Sequence, residues 1–151
     1  MNFITINQYF NKLQIVYLGL LIMPLLAFIA LYFSTNVKPP EPRMEYQIGL
    51  LSLALADWFL AMITFNKKIK SARNAQGLGE KLDKYFDLTV VRYRFFSAAS
   101  LMMALGFYLT RSDIFTALYC AGLVGSALLW PTSRKVTSDL RLKGDEREMV
   151  Y

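Results

Sequence analysis

Long apolar blocks alternate with short charged stretches along this chain, and the alternation predicts its architecture. The first block, residues 13–37, contains no charged side chain, and three more apolar blocks follow at 46–66, 95–110 and 114–130. A helix rises 1.5 Å per residue, so about 20 residues cross a bilayer core of about 30 Å. We therefore predict an all-α fold: a four-helix transmembrane bundle that forms a single membrane domain over residues 1–151.

The segments outside these blocks predict several further helices. The basic stretch 67–94 should continue the second helix and then begin a new one near Glu80, which gives a helical cytoplasmic extension between helices 2 and 3. Residues 1–12 fit either a short interfacial helix or a frayed terminus. The proline-rich stretch 38–43 should be an extended connector. After the fourth block, the cytoplasmic tail 131–151 should hold one short helix.

Other single residues mark helix ends and bends. Pro24, near the centre of the first block, has no N–H for the Leu20 carbonyl, so we expect a helix kink there. Ser133 is the expected N-cap of the short helix in the tail, which should stop at Gly144. Beyond that glycine, residues 145–151 are expected to be mobile.

The basic side chains predict how the bundle is oriented. Fourteen of the 17 lysines and arginines fall at the N-terminus, in the 67–94 stretch or in the C-terminal segment. Basic residues are retained on the cytoplasmic side, so both termini should be cytoplasmic, the N-in/C-in topology. The net charge is +6, and the basic residues lie beside the apolar blocks. This placement favours a lipid bilayer with anionic headgroups as the partner and disfavours nucleic acid.

Asp57 is the only ionisable residue deep inside a predicted span, and it is the first candidate for an intramembrane polar site. A carboxylate at this depth costs roughly 2.5 to 3.5 kcal/mol, so we expect it to be buried between helices. Its partner should be a tyrosine, or Ser97 or Ser100 of the third span. Three roles are open: a structural hydrogen bond, a proton or cation site in a carrier, and a polar contact with a second copy or another protein.

Small residues predict where helices approach one another. They form one strip on the second span beside Asp57 and two offset strips on the fourth, and they are Ala54, Ala61, Ala117, Ala121, Gly122, Gly125 and Ser126. Such strips let helix backbones come close in lipid. They serve either packing inside the bundle or a homodimer, and we expect packing inside the bundle. Cys120, beside the second strip, is expected to be a small buried apolar residue.

The composition argues against most enzymatic chemistry. The chain has no histidine and one cysteine, so the commonest general base and metal ligand is missing and no intrachain disulfide can form. We predict no catalytic residue, no metal and no cofactor. The leading interpretation is a non-enzymatic integral membrane protein. The alternative is a small proton- or cation-coupled carrier that uses Asp57. An enzyme acting on lipid is the third interpretation.

Part of the sequence resembles a protein family. The segment 78–110 carries L-x-x-K-L-x-x-Y, fitted by Lys81, Leu82 and Tyr85, with the basic residue Arg92 after it, and the tail carries Pro131-Thr132 and a D-L-x-L ending at 139–142. These motifs are similar to those of a family of small four-helix bacterial inner-membrane proteins with no assigned activity. The family's acidic-glycine pair is replaced here by Ser97-Ala98. The resemblance implies the fold, the topology and an inner-membrane location.

Overall fold

The computed structural model describes residues 5–34 and 44–150, and these residues form six helices and no strand. They are α1 (Ile6–Phe33), α2 (Met44–Arg73), α3 (Leu78–Thr110), α4 (Asp113–Ala127), α5 (Ser133–Leu140) and α6 (Asp145–Glu148). Three of them, α1 to α3, are long and apolar enough to cross a membrane, and α4, with 15 residues, is shorter. The predicted all-helical class is confirmed. The predicted connector at 38–43 lies outside the described residues.

Helix α3 is the centre of the structure, because α1, α2 and α4 all pack against it. It runs unbroken for 33 residues, about 50 Å, so the expected extension and the third apolar block are one helix. Gly77, with φ of +86°, ends the turn between α2 and α3 in a conformation that favours glycine. At the other end, Arg111 takes a left-handed conformation and the chain reverses into α4.

The buried side chains form two clusters at different heights along α3. One lies at the end that holds the α2–α3 turn, and it joins the start of α1 to α5 and the C-terminal residues through Tyr9, Leu13, Tyr85, Val136 and Val150. We call this end the polar end, because polar contacts surround the cluster. The second cluster lies in the apolar half of the bundle and contains Ala54, Ala99, Met103, Phe107, Phe115 and Tyr119.

Two glycines allow close packing in the apolar half. A Cβ on Gly106 of α3 would overlap the ring of Phe115, so the missing side chain lets α4 lie directly on α3. A Cβ on Gly122 of α4 would be 2.7 Å from Cζ2 of Trp58, and this tryptophan also contacts the Phe96 ring, with centroids 6.2 Å apart. Trp58 of α2 therefore lies between α3 and α4.

Several predictions about the ends of the chain were wrong. Of the two alternatives for residues 1–12, a separate interfacial helix is not found in the described residues, because α1 begins at Ile6 and continues into the apolar block. The N-cap of α5 is Thr132 rather than Ser133, and its hydroxyl accepts a hydrogen bond from the Lys135 amide. The helix ends at Leu140. Among the described residues of the tail, 145–150, the chain forms α6 and buries Val150.

Nearly all of the exposed large apolar side chains among the described residues lie in one part of the bundle. On α1 they extend from Ile15 to Phe33, on α2 from Met44 to Ile63, on α3 from Leu101 to Leu109, and on α4 and the following turn from Ile114 to Leu128. Among the described residues of the polar end, Met149 is the only exposed large apolar side chain. The surface is thus divided into an apolar belt, as defined by these four series, and a polar end.

Candidate functional site

Helix α5 is held across the α2–α3 hairpin by two half-buried hydrogen bonds. The hydroxyl of Tyr85 on α3 donates to Oδ2 of Asp139 at 2.8 Å, and the side chain of Tyr85 is completely buried. Nε of Arg73, at the end of α2, donates to the Asp139 main-chain oxygen at 2.6 Å. Asp139 therefore joins three helices, and the apolar residues Val136 and Leu140 on the same face of α5 close the contact.

A buried cation lies beside this contact. Arg92 of α3 is only 4% exposed, and its guanidinium carbon lies 3.9 Å from the centroid of the Phe65 ring on α2. Its Nε and Nη2 atoms have no hydrogen-bond partner among the described residues. The face of an aromatic ring attracts a cation and offsets part of the cost of burial. The position of Arg92 at the edge of the third apolar block does not predict this burial, because a long basic side chain at such a boundary commonly extends to the membrane surface.

The Lys135 ammonium is affected by the positive charge of Arg92. Its Nζ donates to the Leu128 carbonyl at 2.8 Å, which ties α5 to the turn that follows α4. Burial lowers the pKa of the Lys135 amine below its ordinary value, the Arg92 guanidinium lowers it further, and the Asp139 carboxylate opposes both. Arg92, Lys135 and Asp139 therefore form one electrostatic group in the polar end.

The C-terminal residues extend this contact along α3. Lys81 Nζ pairs with the Glu146 carboxylate at 2.7 Å, and both side chains are partly buried. Residues of α5 and of the chain after it border an open groove of about 550 Å³ that we call the basic groove, lined by Arg134, Thr137, Ser138, Arg141, Leu142, Lys143 and Arg147. Four of the lining side chains are cationic and none is acidic. Its electrostatics favour a phosphate or another anion.

A small cavity in the apolar half is lined by hydroxyl groups. It has a volume of about 30 Å³, lies between α1, α3 and α4, and is bounded on its apolar sides mainly by Leu20, Leu21, Pro24, Phe96, Leu123 and Leu129. The hydroxyls that line it belong to Tyr17, Tyr93, Ser97, Ser100, Tyr119 and Ser126. We call it the hydroxyl cavity. Its lining includes no charged residue and no residue of α2.

The structure does not pair Asp57 with either of the two serines expected beside it. Ser97 and Ser100 line the hydroxyl cavity, and Asp57 does not. Ser100 Oγ donates to the main-chain oxygen of Phe96 at 2.9 Å. Asp57 is half-buried rather than buried, and its carboxylate makes no hydrogen bond or ion pair with a described residue. The expected contact between Asp57 and a serine or tyrosine is therefore not formed within the described chain.

The small residues occupy two kinds of place. Ala54, Ala61 and Gly122 are buried inside the bundle. Ala117 and Ala121 of α4 are exposed, and nothing lies within 4 Å of a Cβ placed on Gly125. That face of α4 is therefore open to lipid or to another helix. Half-buried Ser126 lies elsewhere on α4, and its carbonyl accepts a hydrogen bond from the Tyr17 hydroxyl at 2.7 Å.

Two other residues singled out from the sequence have defined surroundings. Cys120 is exposed on α4, so its expected burial is wrong. Pro24 is buried and lines the hydroxyl cavity, and α1 is assigned as one helix from Ile6 to Phe33 through this proline. The bend expected at Pro24 stays a prediction.

Sequence reasoning missed the contacts that hold the polar end together. Tyr85 and Asp139 are 54 positions apart, and hydrophobic periodicity does not reveal a contact at that separation. A signal was nevertheless present, since Lys81, Tyr85 and Asp139 all belong to the motifs that carry the family resemblance. Each of the three makes a polar contact between α3 and the C-terminal segment.

Comparison with known proteins finds no match: no protein-family model, no curated protein and no solved structure matches this chain. The resemblance to a four-helix inner-membrane family therefore stays a prediction. The described residues contain no group of three or more acidic or cysteine side chains placed to hold a metal ion. The apolar belt, the polar end, the basic groove and the hydroxyl cavity are therefore the features from which a function can be argued.

Proposed function

We propose that this chain is an integral membrane protein with four spans, that it holds a helical module at the cytosolic membrane surface, and that it acts without catalysing a reaction. The main support for this proposal is the apolar belt. On α1 the belt covers the 19 residues from Ile15 to Phe33, about 28 Å of helix. On α2 it covers the 20 residues from Met44 to Ile63, about 30 Å. Both lengths match the hydrocarbon core of a bilayer, about 30 Å.

A crossing by α4 is supported by the distance that the chain covers. Arg111, which precedes α4, lies 26 residues along α3 from Tyr85, a separation of about 39 Å. After α4, the chain forms α5, and Asp139 contacts Tyr85. The chain therefore returns from one end of α3 to the polar end, and α4 alone, about 22 Å long, provides most of that return.

An orientation with the polar end in the cytosol is supported by the position of the N-terminal part of α1 and by charge. Tyr9 and Leu13 pack in the same buried cluster as α5, so the start of α1 and the C-terminal segment share one end. Most of the lysines and arginines lie at this end, and basic residues favour the cytoplasmic side. We place this membrane in a bacterial cell because of the family resemblance.

Association with anionic lipid headgroups is the interaction that we propose for the polar end. The basic groove begins at Arg134, four residues after Trp130 at the exit of α4, and its lining combines four cationic side chains with the hydroxyls of Thr137 and Ser138. Each basic residue near an anionic membrane surface contributes about 1 kcal/mol of attraction. The groove is therefore suited to a headgroup phosphate close to the membrane surface.

Lipid nanodiscs test this association directly. The chain would be reconstituted in nanodiscs of phosphatidylcholine with an increasing fraction of phosphatidylglycerol, and bound lipid counted by native mass spectrometry. Arg134→Gln with Arg141→Gln should reduce retained phosphatidylglycerol. The matched control is Lys67→Gln with Lys70→Gln, which removes the same charge from exposed positions on α2. Equal loss in the two double variants would show that net charge, not the groove, attracts the lipid.

The carrier alternative finds no support in the geometry. A carrier using Asp57 needs polar groups from at least two helices to converge on that carboxylate. The hydroxyl cavity gathers polar groups from three helices, but Asp57 is not among its lining residues. We therefore propose no transport activity and assign no reaction.

A further inference from the structure

The hydroxyl cavity between α1, α3 and α4 has an imbalance between hydrogen-bond donors and acceptors. Four of its hydroxyl groups already donate to main-chain carbonyls: Tyr17 to Ser126 at 2.7 Å, Tyr93 to Leu129 at 2.8 Å, Ser100 to Phe96 at 2.9 Å and Ser126 to Leu123 at 2.7 Å. A hydroxyl that has donated its proton still carries acceptor lone pairs. The cavity is therefore rich in acceptors and poor in donors.

Pro24 adds one more acceptor to the same place. Leu20, Leu21 and Pro24 all line the cavity, so this face of α1 points toward it. A proline has no N–H, so the Leu20 carbonyl has no donor four residues ahead in the helix. Inside a bilayer such a group has to be satisfied from within the protein.

Tyr119 contributes a donor that lacks an acceptor. Its side chain is 3% exposed, its ring stacks on Phe28 with centroids 4.2 Å apart, and its hydroxyl has no hydrogen-bond partner among the described residues. The stacked ring fixes the direction of this hydroxyl, and Tyr119 lines the cavity. A buried, unpaired hydroxyl is costly, so a ligand that both donates and accepts would satisfy Tyr119 and the surrounding acceptors together.

We propose that the hydroxyl cavity is a binding site for ordered water that completes the hydrogen bonding of Tyr119 and of the carbonyl freed by Pro24. A buried water needs about 10 to 15 Å³ and two to four polar partners. The cavity, at about 30 Å³, therefore holds about two waters and is too small for an organic substrate. It contains no carboxylate that would offset a bound cation, which favours water over ammonium or sodium. This inference depends on neither the number of crossings nor the lipid partner.

Hydroxyl-radical footprinting with X-rays tests the site, because a bound water produces radicals next to side chains that bulk solvent does not reach. The measurement uses the full chain in detergent micelles, and the matched control is Tyr9, which is completely buried and lies outside the cavity. We expect Tyr119 to be modified several-fold faster than Tyr9. A rate at Tyr119 no higher than that at Tyr9 would overturn the proposal. Ser97→Val should fill the cavity and reduce the Tyr119 rate to that of Tyr9.

Thermal unfolding gives an independent result that does not rely on the Ser97 variant folding. If water pairs with the Tyr119 hydroxyl, Tyr119→Phe removes a satisfied group and lowers Tm. If the hydroxyl is dry and unpaired, the same change removes a cost and raises Tm, which contradicts the proposal. A Tm that rises with ammonium or sodium at constant ionic strength would identify a cation in place of water and would also overturn it.

Discussion

Tyr85→Phe removes the hydroxyl that fastens α5 to α3 and leaves the aromatic ring in place. The lost contact is a 2.8 Å hydrogen bond to the Asp139 carboxylate, made by a side chain that is 1% exposed. Hydrogen bonds to charged groups contribute about 1.5 to 3 kcal/mol. Asp139 is half-buried and can recruit water after the change, so we expect the low end, about 1.5 kcal/mol.

Amide hydrogen exchange in detergent micelles measures this change where it occurs. A loss of about 1.4 kcal/mol corresponds to a tenfold shift in an opening equilibrium, so the protected amides of α5 should exchange roughly tenfold faster. Amides in the apolar part of α3 should exchange at their original rate, because the contact lies at the polar end. Burial raises the pKa of Tyr85, and the Asp139 carboxylate raises it further, so the hydroxyl remains a donor throughout the usual pH range.

The matched control is Tyr108→Phe. The hydroxyl that it removes lies on the same helix and makes no hydrogen bond to any described residue. It should leave α5 unchanged. In an Asp139→Ala background, Tyr85→Phe should no longer accelerate exchange in α5, because the acceptor of the hydrogen bond is already gone. Equal exchange rates for α5 in Tyr85→Phe and Tyr108→Phe would refute the assignment of this hydrogen bond as an anchor of α5.

Two further predictions concern packing and pH. Gly106→Ala should destabilise the bundle by about 1 to 3 kcal/mol, because its methyl group meets the Phe115 ring, whereas Gly49→Ala, with open space around it, should be neutral or stabilising in reversible unfolding measurements. The Lys84 ammonium and the Gln76 amide both lower the pKa of Glu80 below its ordinary value of 4.5. The contribution of this carboxylate is therefore present above about pH 4.5 and is lost as the pH falls through the lower folded pKa, so exchange of the Gln76 amide should accelerate on acidification. Glu80→Gln should remove that acceleration, and an unchanged pH profile in this variant would contradict the assignment.

Helices α1 to α5 were predictable from the sequence because each depends on local composition. Apolar blocks long enough to span a bilayer specify α1 and α2, and the amphipathic pattern after Glu80 predicted that α3 would extend well beyond its apolar part. Helix α5 was also predicted. The structure confirms that Val136 and Leu140 lie on one face of it and are both buried. Its N-cap was misplaced by one residue, because Thr132 and Ser133 are adjacent and both favour that position.

The sites were less predictable because they depend on contacts between distant residues. Asp57 drew attention as a charge inside an apolar block, but a helix surface has several faces, and only tertiary packing decides which one is buried. Arg92 lies at the boundary of an apolar block, a position that does not predict burial, yet α2 presents the Phe65 ring to its guanidinium. The hydroxyl cavity combines residues from three helices, and no spacing within one helix predicts it.

Labelling of single cysteines in membrane vesicles tests the four-span account most directly. The native Cys120 is the only cysteine, is exposed on α4 and lies within the apolar belt, so a membrane-impermeant maleimide should leave it unmodified in intact vesicles and react after detergent is added. In a Cys120→Ser background, Asn74→Cys and Ser138→Cys should be labelled from the cytosolic face and Asp113→Cys from the opposite face. Labelling of Asp113→Cys and Ser138→Cys from the same face, or of Cys120 in intact vesicles, would show that α4 does not cross the membrane.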